Sequence, residues 1–345
     1  MPDWSRNQRI LDHVNETVGL TPMLRLNKLG KDVKPEICAK LEYTNPSGSL
    51  KDRIAAAIVE RAQADGRLKP GMILLEGTTG NTGISTSMVG AAYGYRVIIV
   101  MPQGMSDERK KTIAAYGADL VLTPGGETDV DLVLEEVERI KAEYGDLIFE
   151  IGQFYRQENL LAHYENTGPE IWDQTGGEID AFVMCQGTGG TVTGTARFLK
   201  EKNPNLKVYI SEPAESPILA YGKIGRHMVQ GIADGLIPEV LDLQYVDGVI
   251  LVPSTDCISV AKRMAREEGV FCGISSGCNV GAALKLAALH PEYTRIVTMV
   301  NDNGLRYLST PLCDSYPDRH LLEREYHLSP EDKQKLAQYK LEIVD

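Results

Sequence analysis

Residues 71–102 read GMILLEGTTGNTGISTSMVGAAYGYRVIIVMP, and how they fold decides the architecture. GMILLEG (71–77) is a short apolar run bounded by glycines, a buried strand by its length and flanks. GTTGNTG (77–83) is a loop, and ISTSMVGAAYG (84–94) a helix rich in small residues. RVIIVMP (96–102) is a second buried strand, stopped by Pro102. The pattern continues downstream. SDERKKTIAAYG (106–117) reads as a helix with Ser106 as N-cap, acids in the first turn and a glycine stop. ADLVLTP (118–124) is a third strand, DVDLVLEEVERIKAEYG (129–145) an amphipathic helix and DLIFEIGQ (146–153) a fourth strand. Strand and helix alternating at this short spacing imply a parallel sheet covered on both faces.

The same alternation recurs on either side. Upstream, residues 1–17 form a polar arm with a short helix. VGLTPMLRLNKL (18–29) turns at Thr21–Pro22 into an extended run, and EICAKLEY (36–43) is a strand. Downstream come the strand AFVMCQ (181–186), the turn and helix GTGGTVTGTARFLKEKN (187–203) and the strand KVYISEP (207–213). Helices follow at 255–269 and 273–290, and RIVTMVND (295–302) is a last strand. The fold class is α/β, with two open α/β subdomains whose mostly parallel sheets are covered by helices. The charged tail from about Ser315 is read as peripheral.

Composition narrows the function. Hydrophobic residues make up 43% of the 345, well above disordered composition. A net charge of −12 argues against a nucleic-acid partner. Cys38, Cys185, Cys257, Cys272, Cys278 and Cys313 are scattered with no CxxC pair, so neither a disulfide framework nor a metal site is expected. The N-terminus lacks the apolar core of a signal peptide, and no apolar run is long enough to span a bilayer. A cytoplasmic protein without membrane contact is the expectation.

Four loops carry chemistry, each following a buried strand or opening a helix, where open α/β sheets bind ligands. NPSGSLKDR (45–53) places Lys51 at the junction of a flexible loop and a helix. The positive end of the helix dipole and burial both disfavour a protonated amine, which suits a nucleophilic lysine. The loop 77–83 offers glycine backbone together with Thr78, Thr79, Asn81 and Thr82, a cradle for a carboxylate or phosphate. GTGGTVTG (187–194) resembles the glycine-rich phosphate turns that open helices, without the GxGxxG spacing of a dinucleotide site. GISSG (273–277) could offer a serine hydroxyl to the same crevice, though serine at a helix start is more often a cap. A lysine for an imine, a turn for one phosphate, a Thr/Asn loop for a carboxylate and a serine for a ring nitrogen together suit pyridoxal phosphate and an amino acid.

The motifs VGLTPMLRL, NPSGSLKDR, GTTGNTG, TGPEIW, GTGGT, SEPAESP, QGIADGLIP, GISSG and RYLST cover the chain from about Val18 to Thr310. In combination they resemble the β-family (fold type II) of pyridoxal-phosphate enzymes, in the branch of cysteine synthase and cystathionine β-synthase. The resemblance implies that Lys51 bears the pyridoxal 5'-phosphate and acts as catalytic base. It implies that Asn81 contacts the ring hydroxyl and that Ser275 faces the pyridine nitrogen. Gly187, Thr188, Gly189, Gly190 and Thr191 would hold the phosphate. Thr78, Thr79, Gly80, Thr82 and Gln153 would hold the substrate carboxylate. It also implies a large domain from residues 1–44 plus 153–315 and a mobile subdomain of residues 45–152, with 316–345 as the tail. The expected activity is β-replacement on a serine- or cysteine-type amino acid through an aminoacrylate, with a sulfide or thiol nucleophile, in a homodimer. Cysteine synthase is the first reading. Cystathionine β-synthase, a cysteine lyase releasing sulfide and a diaminopropionate-type synthase stay open. A nicotinamide-dependent oxidoreductase is the alternative of a different class. Thr79, Arg156, Gln157 and Ala233 depart from the usual motif residues and bear on which substrate fits.

Overall fold

The computed structural model describes residues 2–126 and 129–313; the tail expected at 316–345 lies outside the described residues. Among the described residues, ten strands form two sheets. In chain order they are β1 (Met23–Arg25), β2 (Glu36–Leu41), β3 (Ile73–Gly77), β4 (Arg96–Pro102), β5 (Asp119–Thr123), β6 (Ile148–Glu150), β7 (Ala181–Cys185), β8 (Lys207–Pro213), β9 (Gly248–Val252) and β10 (Arg295–Val300). The larger sheet has the order β1-β2-β10-β7-β8-β9, and the smaller β5-β4-β3-β6. The short β1 runs antiparallel to β2, with Leu24 opposite Ala39. Every other pairing between these strands is parallel.

The stretch 71–102 folds as its pattern requires, and the continuous apolar run has a physical reason. Successive strand residues point to opposite faces. Leu74, Val97, Ile99 and Met101 pack in one buried cluster with α1 (Lys51–Ala64) and α2 (Asn81–Tyr93). Ile73, Leu75, Ile98 and Val100 pack on the other face against Val133, Val137 and Ile140 of α4 (Val130–Tyr144). Between these in sequence lies α3 (Asp107–Ala115), which adds Ile113 to the first cluster. With helices on both sides, every position of β3 and every position of β4 after Arg96 is buried, so no polar alternation is needed.

The structure corrects several expectations. Ser106 holds the N-cap position of α3 but makes no capping bond. Its hydroxyl instead donates to the Arg306 carbonyl at 2.8 Å and accepts from Arg109 Nη1 at 3.1 Å. The fourth strand shrinks to three residues because residues 145–147 form a 3-10 turn. The arm holds 3-10 turns at Arg6–Gln8 and Val14–Thr17. The edge strand β9 and the helices Gln157–Ala162 and Gly168–Thr175 are additional.

A buried charge cluster ties α1 to the larger sheet. Arg53 grips Glu42 through Nε at 2.7 Å and Nη2 at 2.8 Å, and Glu170 through Nη1 at 2.7 Å and Nη2 at 2.8 Å. Lys40 adds an ion pair to Glu170 at 2.7 Å. Arg53 holds both carboxyls below their usual range against the burial that opposes ionisation.

Candidate active site

Each of the four loops is set by the element that precedes or follows it. Lys51 is the first residue of α1, and Asn81 the first of α2. The 187–191 turn leads from β7 into the helix Gly190–Lys202, and Ser275 lies in the first turn of the helix Ile274–Leu289. Their polar side chains and loop backbones converge on one cleft of about 640 Å³ including its mouth. Amides in the first turn of a helix have no intrahelical acceptor and lie at the positive end of the dipole. Four such ends meeting in one place suit a ligand rich in negative charge.

Lys51, Thr78, Thr79, Asn81, Thr82, Gln153, Gly187, Thr188, Gly189, Thr191 and Ser275 all line this cleft. Gly80 and Gly190 do not line it, although their neighbours Thr79, Asn81, Gly189 and Thr191 do. A Cβ on Gly80 would sit 2.3 Å from Arg109 Cδ, and one on Gly190 would sit 2.0 Å from Asn159 Oδ1. These close approaches are what glycine permits there.

Removal from water pushes the Lys51 amine below its usual range. Asp234, Cys185, Asp302 and Glu76 pull the other way without cancelling this. Burial also pushes the Glu76 carboxyl well up, so it offers little charge to the amine.

The remaining groups are held by hydrogen bonds. Asn81 donates to Asp302 Oδ2 at 2.7 Å and accepts from Arg306 Nη1. Arg306 also reaches the Ser47 carbonyl, bracing the lysine loop. Tyr307 donates to the same Asp302 oxygen at 2.7 Å, with the Arg109 guanidinium 4.6 Å above its ring. Thr82 donates to Gln153 Oε1 at 2.5 Å. Asn159 donates to the Gln153 carbonyl at 2.7 Å and to Thr188 Oγ1 at 2.9 Å, so one side chain knits the two ligand loops together. His163 lies between Thr167 at 2.9 Å and Thr191 at 3.1 Å. Burial lowers its pKa to about 3, so it braces Thr191 as a neutral ring.

The sequence departures separate in space. Thr79 lines the cleft. Arg156 turns away, donating to the Glu150 carbonyl from Nε at 3.0 Å and Nη2 at 2.8 Å. Gln157 merely opens the helix Gln157–Ala162. Ala233 is held at φ +53°, with its amide donating to the Gln186 carbonyl at 3.0 Å.

Sequence reasoning missed Asn159, Asp234, Asn301 and Arg306, and gave His163 no role. Asp234 and Asn301 line the cleft itself. Arg306 lies in RYLST, an available signal, and Asp234 is the acid within GIADG. Asn159 and His163 had no comparable sign, because their roles arise only where two distant loops meet.

This donor set fits pyridoxal phosphate. A primary amine of depressed basicity can hold an aldehyde. A glycine turn at a helix start, with the Thr188 and Thr191 hydroxyls, suits a phosphate monoester. At Gly80 and Gly190 a Cβ would collide with Arg109 and Asn159, the side chains packed against these two loops.

The comparisons agree. The chain matches the model of the family described as pyridoxal-phosphate dependent enzyme over residues 14–302. It belongs to that family. It is 41% identical to the cysteine synthase of Staphylococcus aureus over 306 residues, which are 88% of this chain and 98% of the relative. Among solved structures it resembles the cysteine synthase of Entamoeba histolytica, with 39% identity, a TM-score of 0.85 and coverage of 93% of this chain and 96% of that one. The hydrogen sulfide-producing enzyme of Fusobacterium nucleatum gives 36% identity, a TM-score of 0.84 and coverage of 87% and 100%. Among the described residues no helix is long and apolar enough to cross a membrane.

Proposed function

We propose that the protein is a cysteine synthase, replacing the β-substituent of O-acetylserine or O-phosphoserine with sulfide. The observation that carries this reading is the meeting of Lys51, the 78–82 loop, the 187–191 turn and Ser275 in one cleft. The similarity to cysteine synthases of two organisms supports the choice of substrate. When bound, pyridoxal phosphate supplies an aldehyde that takes up amines and a ring that delocalises electrons left at the α-carbon.

The chain's residues do the rest. Lys51 would hold the cofactor aldehyde, and its neutral Nζ would take the proton from the substrate α-carbon. A depressed basicity makes the neutral amine available for this. The amides and hydroxyls of residues 187–191 would take the phosphate, Asn81 the ring hydroxyl and Ser275 the ring nitrogen. Thr78, Thr79, Thr82, the backbone at Gly80 and the Gln153 amide receive the substrate carboxylate. Residues 45–152, which contain the smaller sheet, close as a subdomain over the larger remainder and exclude water. The working assembly is a cytoplasmic homodimer, checked by light scattering.

A second reading, release of sulfide from cysteine, is favoured by the likeness to the Fusobacterium nucleatum enzyme. Visible spectra with O-acetylserine, O-phosphoserine, serine and cysteine, followed by product analysis with and without sulfide, separate the two. Cysteine made from an activated serine supports synthesis. Sulfide released from cysteine, with no turnover of activated serines, overturns it in favour of the second reading.

A further inference from the structure

Behind Ser275 lies a buried row of amides that the proposed chemistry does not use. Asn279 is fully buried, and Asn301 is 3% exposed. Every polar atom of the Asn279 side chain is satisfied. Its Oδ1 accepts from the Cys185 backbone amide at 2.7 Å and from Ser211 Oγ at 3.1 Å. Its Nδ2 donates to the Met299 carbonyl at 3.0 Å and to Asn301 Oδ1 at 3.1 Å. Asn301 Nδ2 in turn donates to Ser275 Oγ at 3.1 Å and to Cys185 Sγ at 3.1 Å.

The direction of this row is fixed at its inner end. A backbone N–H can only donate and a backbone carbonyl can only accept. The Cys185 amide and the Met299 carbonyl therefore set which end of Asn279 is oxygen and which is nitrogen. With its NH₂ facing Asn301, Asn279 requires the Asn301 oxygen on that side; the reverse would set two donors against each other. Asn301 then presents its own NH₂ to Ser275. An amide nitrogen accepts nothing, so Ser275 Oγ is the acceptor in that bond. Its hydrogen is left for the cleft, which Ser275 lines.

We propose that Asn279 and Asn301 are positioning residues that fix the Ser275 hydroxyl as a hydrogen-bond donor toward the cleft, so that it recognises a ring nitrogen carrying a lone pair and disfavours one carrying a proton. The proposal rests on the reading that Ser275 faces the pyridine nitrogen. A misplaced donor here is costly because all three side chains are buried, where an unmatched polar group loses its hydration without return. The row thus selects the protonation state of the cofactor ring from two residues away.

The test is the nitrogen-15 chemical shift of the ring nitrogen, read after loading the protein with ring-labelled pyridoxal phosphate. The wild type should show the position of an unprotonated, hydrogen-bonded pyridine. Ser275→Asp supplies the protonated reference. Asn301→Asp replaces the donor facing Ser275 with an acceptor, turning the hydroxyl around, and should move the signal toward that reference. Asn279→Asp acts from farther away. It can no longer donate to Asn301, so the Asn301 amide flips and the same move is expected. Asn301→Gln, which keeps a donor, should stay nearer the wild-type position. The Asn279→Asp variant carries the test where Asn301→Asp does not retain the cofactor, and the reverse. If Ser275→Asp moves the signal while both asparagine variants leave it in place, the amide row is overturned and the serine reading survives. If Ser275→Asp leaves it in place, the serine reading fails, and the proposal with it. A protonated ring in the wild type also overturns it.

Discussion

Lys51 and Arg53 stand two residues apart at the start of α1, and their surroundings are opposite. Two residues along a helix are about 200° apart around its axis, so the pair serves different faces. Arg53 faces the core, where two carboxylates and the Thr21 hydroxyl, at 3.3 Å, occupy its donors. Lys51 faces the cleft, where burial outweighs the neighbouring negative groups and the amine is driven toward neutrality. One cation is held charged by saturation, and the other is made reactive by incomplete compensation. A buried charge that serves structure must have its partners complete, whereas one that serves chemistry must keep capacity for a ligand.

The largest effect expected from this contrast is kinetic. Lys51→Ala should lower turnover by roughly 10²–10⁴-fold or more while leaving the thermal midpoint near the wild type. Steady-state assays beside a melting curve check both halves. Retained turnover, or loss of the fold along with activity, breaks the contrast on the cleft side. Arg53→Ala should do the reverse and destabilise the fold by about 3–5 kcal/mol in urea unfolding, because Glu42 and Glu170 stay buried without their shared cation. A shift under about 1 kcal/mol, the scale of an exposed pair, would show that the cluster contributes little.

Three smaller effects sharpen the cleft side. Gly190→Ala puts a methyl group 2.0 Å from Asn159 Oδ1. It should weaken cofactor retention by about 1–3 kcal/mol, read as visible absorbance per chain during dialysis. His163 binds a proton in the unfolded chain near the ordinary histidine value of 6.5, but only at about 3 when folded. Between these values the unfolded state holds more protons, so stability is lost as pH falls through that window, by at most about 1.4 kcal/mol per pH unit. His227, also lowered by burial, adds in the same direction. Unfolding free energy measured from pH 7 to pH 5 should fall less in His163→Gln than in the wild type; equal slopes would place the loss elsewhere. Ala233→Gly should stabilise by about 0.5–1 kcal/mol, since relief of a left-handed backbone exceeds the added entropy of glycine. The shift in denaturation midpoint reports it.

Much of the smaller sheet was legible because its central strands β3 and β4 are buried on both faces and end at Gly77 and Pro102. β9 was not, since four of its five residues are only partly buried and the short run GVILV is neither fully buried nor alternating. Ser106 misled because its type fits a cap, while a carbonyl brought near from position 306 is a nearby alternative acceptor. Cys185 was read only as a buried thiol, yet it lines the cleft.

The sequence by itself determined the alternation of strand and helix, the glycine turns and the residue types of the cleft, because each depends on neighbours within a few positions. Tertiary structure decided which side chains answer one another: Arg306 with Asn81, Asn159 with Thr188, His163 with Thr191 and Asn301 with Ser275. Those pairs are separated by 225, 29, 28 and 26 residues. No local propensity encodes them. They exist because parallel strands carry their loops to one end of a sheet, where a buried polar group must find its partner or destabilise the fold.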